Sequence, residues 1–159
     1  MKPATMWLLL IVLTGCATSK TASNFIDAPT PEIRADKAVL YIYRDHAEPT
    51  AFAAYLTIDT AKAASLNQQG FTWVYVSPGE HNFRFGWPFI AGMPNVDFKT
   101  SLEAGNAYAF QMSGSVTMDS SNMYATSAIA PIDIDVAKNR MKSCCRYVPS
   151  GYDAKKAAP

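Results

Sequence analysis

The sequence predicts a mainly β protein, an antiparallel β-sandwich of about seven or eight strands with one short C-terminal helix. Three observations predict it. Apolar residues recur with a period of two through most of the central region, which is the spacing of strands. Eight Tyr, eight Phe and three Trp suit packed sheets. Hydrophobic residues make up 49% of the chain and charged residues 17%, enough for a real core and too apolar for overall disorder. The 159 residues hold one ordinary domain plus appendages. Lys and Arg number 14 against 13 Asp and Glu, so there is no electrostatic footprint for nucleic acid.

The N-terminal residues read as an address. Lys2 precedes an unbroken apolar run, Met6 to Leu13, far short of the roughly 20 residues a spanning helix needs. A basic start, a short apolar stretch and small residues make a secretory signal peptide, residues 1–15. Leu13-Thr14-Gly15-Cys16 resembles the bacterial lipobox, in which the chain is cut before a cysteine whose thiol carries a diacylglyceryl group. The resemblance implies lipidation at Cys16. In the same system an Asp after the cysteine holds lipoproteins at the inner membrane, so Ala17 implies the outer one.

Residues 16–37 then read as an acylated cysteine and flexible tether, rich in Thr, Ser, Ala and Pro and without apolar period. The folded unit is expected at 38–147. Val39 to Tyr43 is apolar on both faces, as a central strand should be. Phe52–Ile58 and Phe71–Val76 are two further strands. Ser77-Pro78-Gly79-Glu80 places Pro and Gly at the centre of a type II turn. His81, Phe83, Phe85 and Trp87 alternate with Asn82, Arg84 and Gly86; Val96 to Glu103 alternates more cleanly still. Ala104-Gly105-Asn106 turns the chain into Ala107–Met112, and a last strand is expected near Met123–Ile129.

Pro131 is expected to open a helix with Asp133 and Asp135 at its positive end and Lys138, Arg140 and Lys142 toward the other. Ile134, Ala137 and Met141 share one side and would pack on the sheet. Residues 148–159 read as a disordered tail.

Tyr41-x-Tyr43-Arg44, Ile58-Asp59, Ser77-Pro78-Gly79-Glu80-His81 and Leu102-x-Ala104-Gly105-x-x-Tyr108 together resemble a bacterial lipoprotein family catalogued as a domain of unknown function. The resemblance spans about Val39 to Gly114 and implies a prealbumin-like sandwich. It implies no catalytic residue. Where that family turns at a Gly after Ile58-Asp59, this chain has Thr60-Ala61.

Few residues offer chemistry. His46 and His81 are the only imidazoles, and no Gly-x-Ser-x-Gly elbow accompanies them. His81 reads as a sheet-edge histidine bonded to backbone, His46 as a solvated loop residue. A metal site would need His46, Asp45, Glu48 and His81, without the tight ligand pairs of zinc sites. Met112, Met118 and Met123 could suit copper but read better as packing residues. Asp133-x-Asp135 lacks the partners of a calcium loop and reads as a helix start. No cofactor is expected.

Trp87-Pro88-Phe89-Ile90-Ala91-Gly92-Met93-Pro94 carries four large apolar residues in a connection between strands. Trp87, Phe89, Ile90 and Met93 are either a partner-binding or membrane-touching loop or a lid over an open end of the sandwich, the lid being favoured. Cys144 and Cys145 are neighbours whose side chains diverge on a strand or helix. The expectation is one thiol buried under the terminal helix, with the other pairing between chains or both reduced.

These readings describe a bacterial outer-membrane lipoprotein with a non-catalytic binding or structural module facing the periplasm. Its expected partners are the membrane, through the lipid anchor, and an envelope protein or the cell-wall polymer. The alternative is a periplasmic hydrolase or metal-binding protein using His81 or His46.

Overall fold

A computed structural model describes residues 23–152. The signal segment, Cys16 with the tether up to 22, and residues 153–159 lie outside the described residues. The described chain forms β1 (Ala38–Arg44), β2 (Ala54–Ile58), β3 (Ala61–Leu66), β4 (Gly70–Val76) and β5 (Gly79–Gly86). There follow β6 (Val96–Leu102), β7 (Ala107–Met118), β8 (Met123–Ile132), α1 (Ile134–Cys144) and β9 (Arg146–Tyr147). One sheet runs β8-β7-β1-β4-β9 and the other β3-β2-β5-β6, packed face to face as a sandwich. Most ladders are antiparallel, but β1 runs parallel to β7 and β4 parallel to β9. Strand periodicity carries no direction, so these two ladders leave no trace in the pattern.

The core between the sheets holds Leu40, Ile42, Leu56, Ile58, Val74, Phe83, Phe85 and Phe110, all buried. Phe83 stacks on Phe98 at 5.0 Å and meets Phe110 edge-on, the offset geometry that aromatic quadrupoles favour. A second core lies on the outer face of the five-stranded sheet. There Val39, Tyr41, Tyr43 and Phe71 pack under Ala137 and Met141 of α1. β1 is therefore buried on both faces, as its unbroken apolar run requires.

Helix α1 begins later than expected. Pro131 belongs to β8, opposite Phe110. Asp133 is the N-cap, its Oδ1 accepting from the backbone N–H groups of Asp135 and Val136. The β2–β3 hairpin turns without glycine, because Asp59 adopts a left-handed φ of 55°, which Asp tolerates. Gly79, at φ 126°, takes the positive-φ position of the expected Pro-Gly turn.

Three expectations need correction. Residues 23–37 are not a free tether. Phe25 packs 5.2 Å from Phe71, Trp73 Nε1 donates to the Pro29 carbonyl, Tyr75 donates to that of Glu32, and Arg34 lies over the Tyr75 ring. This strap crosses the outer side of β4, held by the long polar-tipped aromatics of that strand. Second, residues 148–152 continue the fold: Val148 N–H donates to the Phe71 carbonyl, and Val148 and Tyr152 pack against the inter-sheet core. Third, Cys144 and Cys145 form a disulfide with each other. Cys144 ends the helix and Cys145 is extended (φ −122°, ψ 148°), so the diverging directions of a regular element do not apply. Cys145 is buried, but as a disulfide sulfur and not as the free thiol expected.

Candidate functional site

One end of the sandwich gathers most of the singular features. Arg44 closes β1 with its side chain fully buried, facing the second sheet. Its Nη1 donates to the carbonyls of Phe52 (2.6 Å) and Leu66 (3.1 Å), and its Nη2 to those of Ala47 and Pro49 (both 2.7 Å). The guanidinium also sits 4.6 Å from the centre of the Trp87 ring. No carboxylate pairs with it among the described residues, and burial pulls its pKa down to about 10. Arg44 thus gathers the loop 45–53 by its carbonyls. In the sequence Arg44 stands out only within a motif; the signal of its role is a lone cation ending an apolar strand.

The apolar loop after β5 divides in two. Trp87 is buried and donates Nε1–H to Ser127 Oγ at 2.9 Å, and Met93 is half-buried against the core. These two act as the expected lid. Phe89 and Ile90, on a single 3-10 turn (Phe89–Ala91), are exposed at 102% and 79%. These two do not. The turn ends at Gly92, left-handed at φ 64°, where an added Cβ would lie 3.7 Å from Met123 Cε. That contact sets the turn beside the β7–β8 hairpin, whose tip exposes Met118, Met123 and Tyr124. Gly114 of the same hairpin lets the chain approach the Glu48 carbonyl and the Trp87 ring closely.

The histidines lie elsewhere. His81 Nδ1 is 2.8 Å from Asp59 Oδ2 and its Nε2 is 2.8 Å from the Ser77 carbonyl oxygen. Each ring nitrogen therefore already lies within hydrogen-bond distance of an oxygen of the protein's own fold. His46 is exposed, 3.7 Å from Asp45. The two are not brought together with Glu48, whose Oε2 accepts from Val116 N–H. Among the described residues no three His, Cys, Asp or Glu form a group able to hold a metal ion. Met112 is buried in the core while Met118 and Met123 are exposed at the hairpin tip. Cys16 lies outside the described residues.

A shallow groove of about 810 Å³ crosses the outer face of the four-stranded sheet, lined by Tyr55, Thr57, Asn82, Arg84, Asp97 and Lys99 among others. Arg84 grips Asp97 with two parallel bonds of 2.7 and 3.0 Å, which hold the Asp97 carboxyl below its ordinary range. Both side chains are well exposed, so water screens the pair. The sequence shows only the alternation that puts these residues outside. No protein-family model matches this chain, and no curated protein matches it. The likeness built on Tyr41-x-Tyr43-Arg44 and the turn residues is one of motifs.

Proposed function

We propose that the chain is a bacterial outer-membrane lipoprotein, anchored through Cys16, whose β-sandwich is a non-catalytic binding or structural module facing the periplasm. The observation that carries this is the coincidence of Lys2, the run Met6 to Leu13 and Leu13-Thr14-Gly15-Cys16. Two further observations support it. No helix of the described residues is long and apolar enough to cross a membrane, so an anchor elsewhere in the chain fits. His81, the more buried of the two histidines, has each ring nitrogen 2.8 Å from an oxygen of its own fold.

Acylation holds the protein at a membrane after cleavage before Cys16 has removed the apolar run. One acyl chain binds marginally, each buried CH₂ adding about 0.8 kcal/mol, and the resembled pathway attaches more than one. Cys16→Ser is therefore expected to abolish palmitate labelling and leave an uncleaved precursor. Metabolic labelling with fractionation of the envelope checks this. A wild-type protein that takes up no lipid would sink the proposal.

A further inference from the structure

Two separate segments place large apolar side chains in water at the same end of the sandwich. Phe89 and Ile90 come from the loop after β5, and Met118, Met123 and Tyr124 from the β7–β8 hairpin. The Gly92–Met123 approach and the Trp87–Ser127 bond join the two segments into one surface. Both tips are nearly free of charge: residues 87–94 hold none, and 115–128 hold only Asp119. The opposite end, where Lys37 bonds Ser77 and Asn106 bonds Glu103, is polar and charged.

The chain enters the domain at this same apolar end. Tyr147 N–H donates to the Ser23 carbonyl, and Asn24 bridges to Arg146. Arg146 is level with Gly70, and Gly70 with Arg44. The strap then runs away from that end, along β4, to reach the start of β1 at the other. Six residues lie between Cys16 and Ser23, and the seven steps from one to the other reach at most about 25 Å. The hairpin projects past Arg44 from Met112, level with it, to Met118. At about 3.3 Å per residue that is roughly 20 Å. The greatest reach from Ser23 to Cys16 is thus similar to the distance by which the hairpin tip projects.

We propose that this end faces the bilayer in which Cys16 is anchored, and that Phe89, Ile90, Met118, Met123 and Tyr124 rest in its interfacial layer. The inference rests on the lipoprotein reading. It makes the lipid surface itself the ligand of the exposed loop. An inverted domain would put the length of β1 between Ser23 and the membrane and turn Lys37, Glu80 and Glu103 toward it. Because both tips lack basic residues, contact comes from apolar insertion and not from attraction to anionic headgroups.

The test uses the full, acylated chain reconstituted in phosphatidylcholine vesicles, with a photoreactive benzoyl-phenylalanine replacing Ile90, Tyr124 or, at the far end, Glu103. All three side chains are exposed, and circular dichroism checks that each variant folds. Palmitate uptake is read in the same samples. The expected result is uptake in all three, with phospholipid joined to positions 90 and 124 several-fold more than to 103. Adding anionic lipid should leave that ratio unchanged. Uptake with equal yields at all three positions overturns the orientation and leaves the lipid anchor standing. Capture of a second copy or of an added envelope protein at position 90, in place of lipid, also overturns it. Absence of uptake overturns the anchor and the inference with it.

Discussion

The two sheets of this sandwich share one core but meet water differently. The five-stranded sheet is covered on its outer face as well, by α1 and by the strap 23–37. The four-stranded sheet leaves its outer face open, as a groove of paired charges and hydroxyls. The burial of their strands records the contrast. All seven residues of β1 are buried, whereas β6 alternates between half-buried and exposed up to Leu102. A sheet covered twice spends apolar side chains on both faces, and a sheet covered once alternates. The difference teaches that the cover is written into the strand beneath it and scarcely at all into the segment that covers.

The contrast is sharpest at Arg44, the one charged residue of β1. Replacing it with Met keeps the bulk and removes the donors that hold the carbonyls of Ala47, Pro49, Phe52 and Leu66. Even with partial rescue by water, the loss should be about 4 kcal/mol, since each orphaned buried acceptor costs about 1–3. Arg44→Lys should recover little of it, because an ammonium lacks the planar fork that serves four acceptors. Urea unfolding of the detergent-solubilised chain measures both. If Arg44→Met unfolds at the wild-type midpoint, the loop 45–53 is held by something other than this cation.

A smaller effect compares the two outer faces directly. Met141 is fully buried between α1 and the covered sheet, so Met141→Ala should cost about 2–5 kcal/mol through lost contacts and a cavity. Thr57 lines the open groove, and Thr57→Ala should stay within about 0.5 kcal/mol. Thermal melts of the two variants decide. Equal costs would mean that the open face is covered in solution, for instance by a ligand or a second copy.

The same contrast governs what could be read from residues alone. Val39 to Tyr43, Phe71 to Val76 and Val96 to Leu102 announced themselves, because each pattern follows from the strand's own surroundings. β3 did not: Ala61-Lys62-Ala63-Ala64-Ser65-Leu66 has little β preference and is held as a strand by its hairpin with β2. The strap escaped because its carbonyls, not its side chains, are gripped by Trp73 and Tyr75. A Thr- and Pro-rich segment looks the same whether bound or free. In the loop 87–94 apolar character identified the segment but could not sort its residues. Trp87 turns inward because Ser127 and Arg44 meet it there, and Phe89 and Ile90 have no such partners. Strand direction and the disulfide of Cys144 and Cys145 depend on chain path, which periodicity does not encode.

The smallest expected effect separates the covered face by its phenols. Burial raises the pKa of Tyr41, Tyr43 and Tyr147, the first helped by repulsion from Tyr75 and the second partly offset by Arg140. Each keeps its proton longer in the fold than in the unfolded chain. Their contribution to stability is therefore whole below the ordinary tyrosine value of 10.0 and is lost as pH rises through the folded values. Arg44 acts with the opposite sign. Its folded pKa near 10 lies well below its ordinary value, so between the two the unfolded chain holds a proton that the fold has shed, and stability gains with rising pH. A melting profile sums the two, whereas phenolate absorbance reports the tyrosines alone. Titrating the folded chain should show a late-ionising component that shrinks in Tyr43→Phe and again in Tyr41→Phe, with circular dichroism confirming that the fold persists. If Tyr43→Phe instead removes amplitude from the early part of the curve, water reaches the face under α1 and the two sheets differ less than their burial implies.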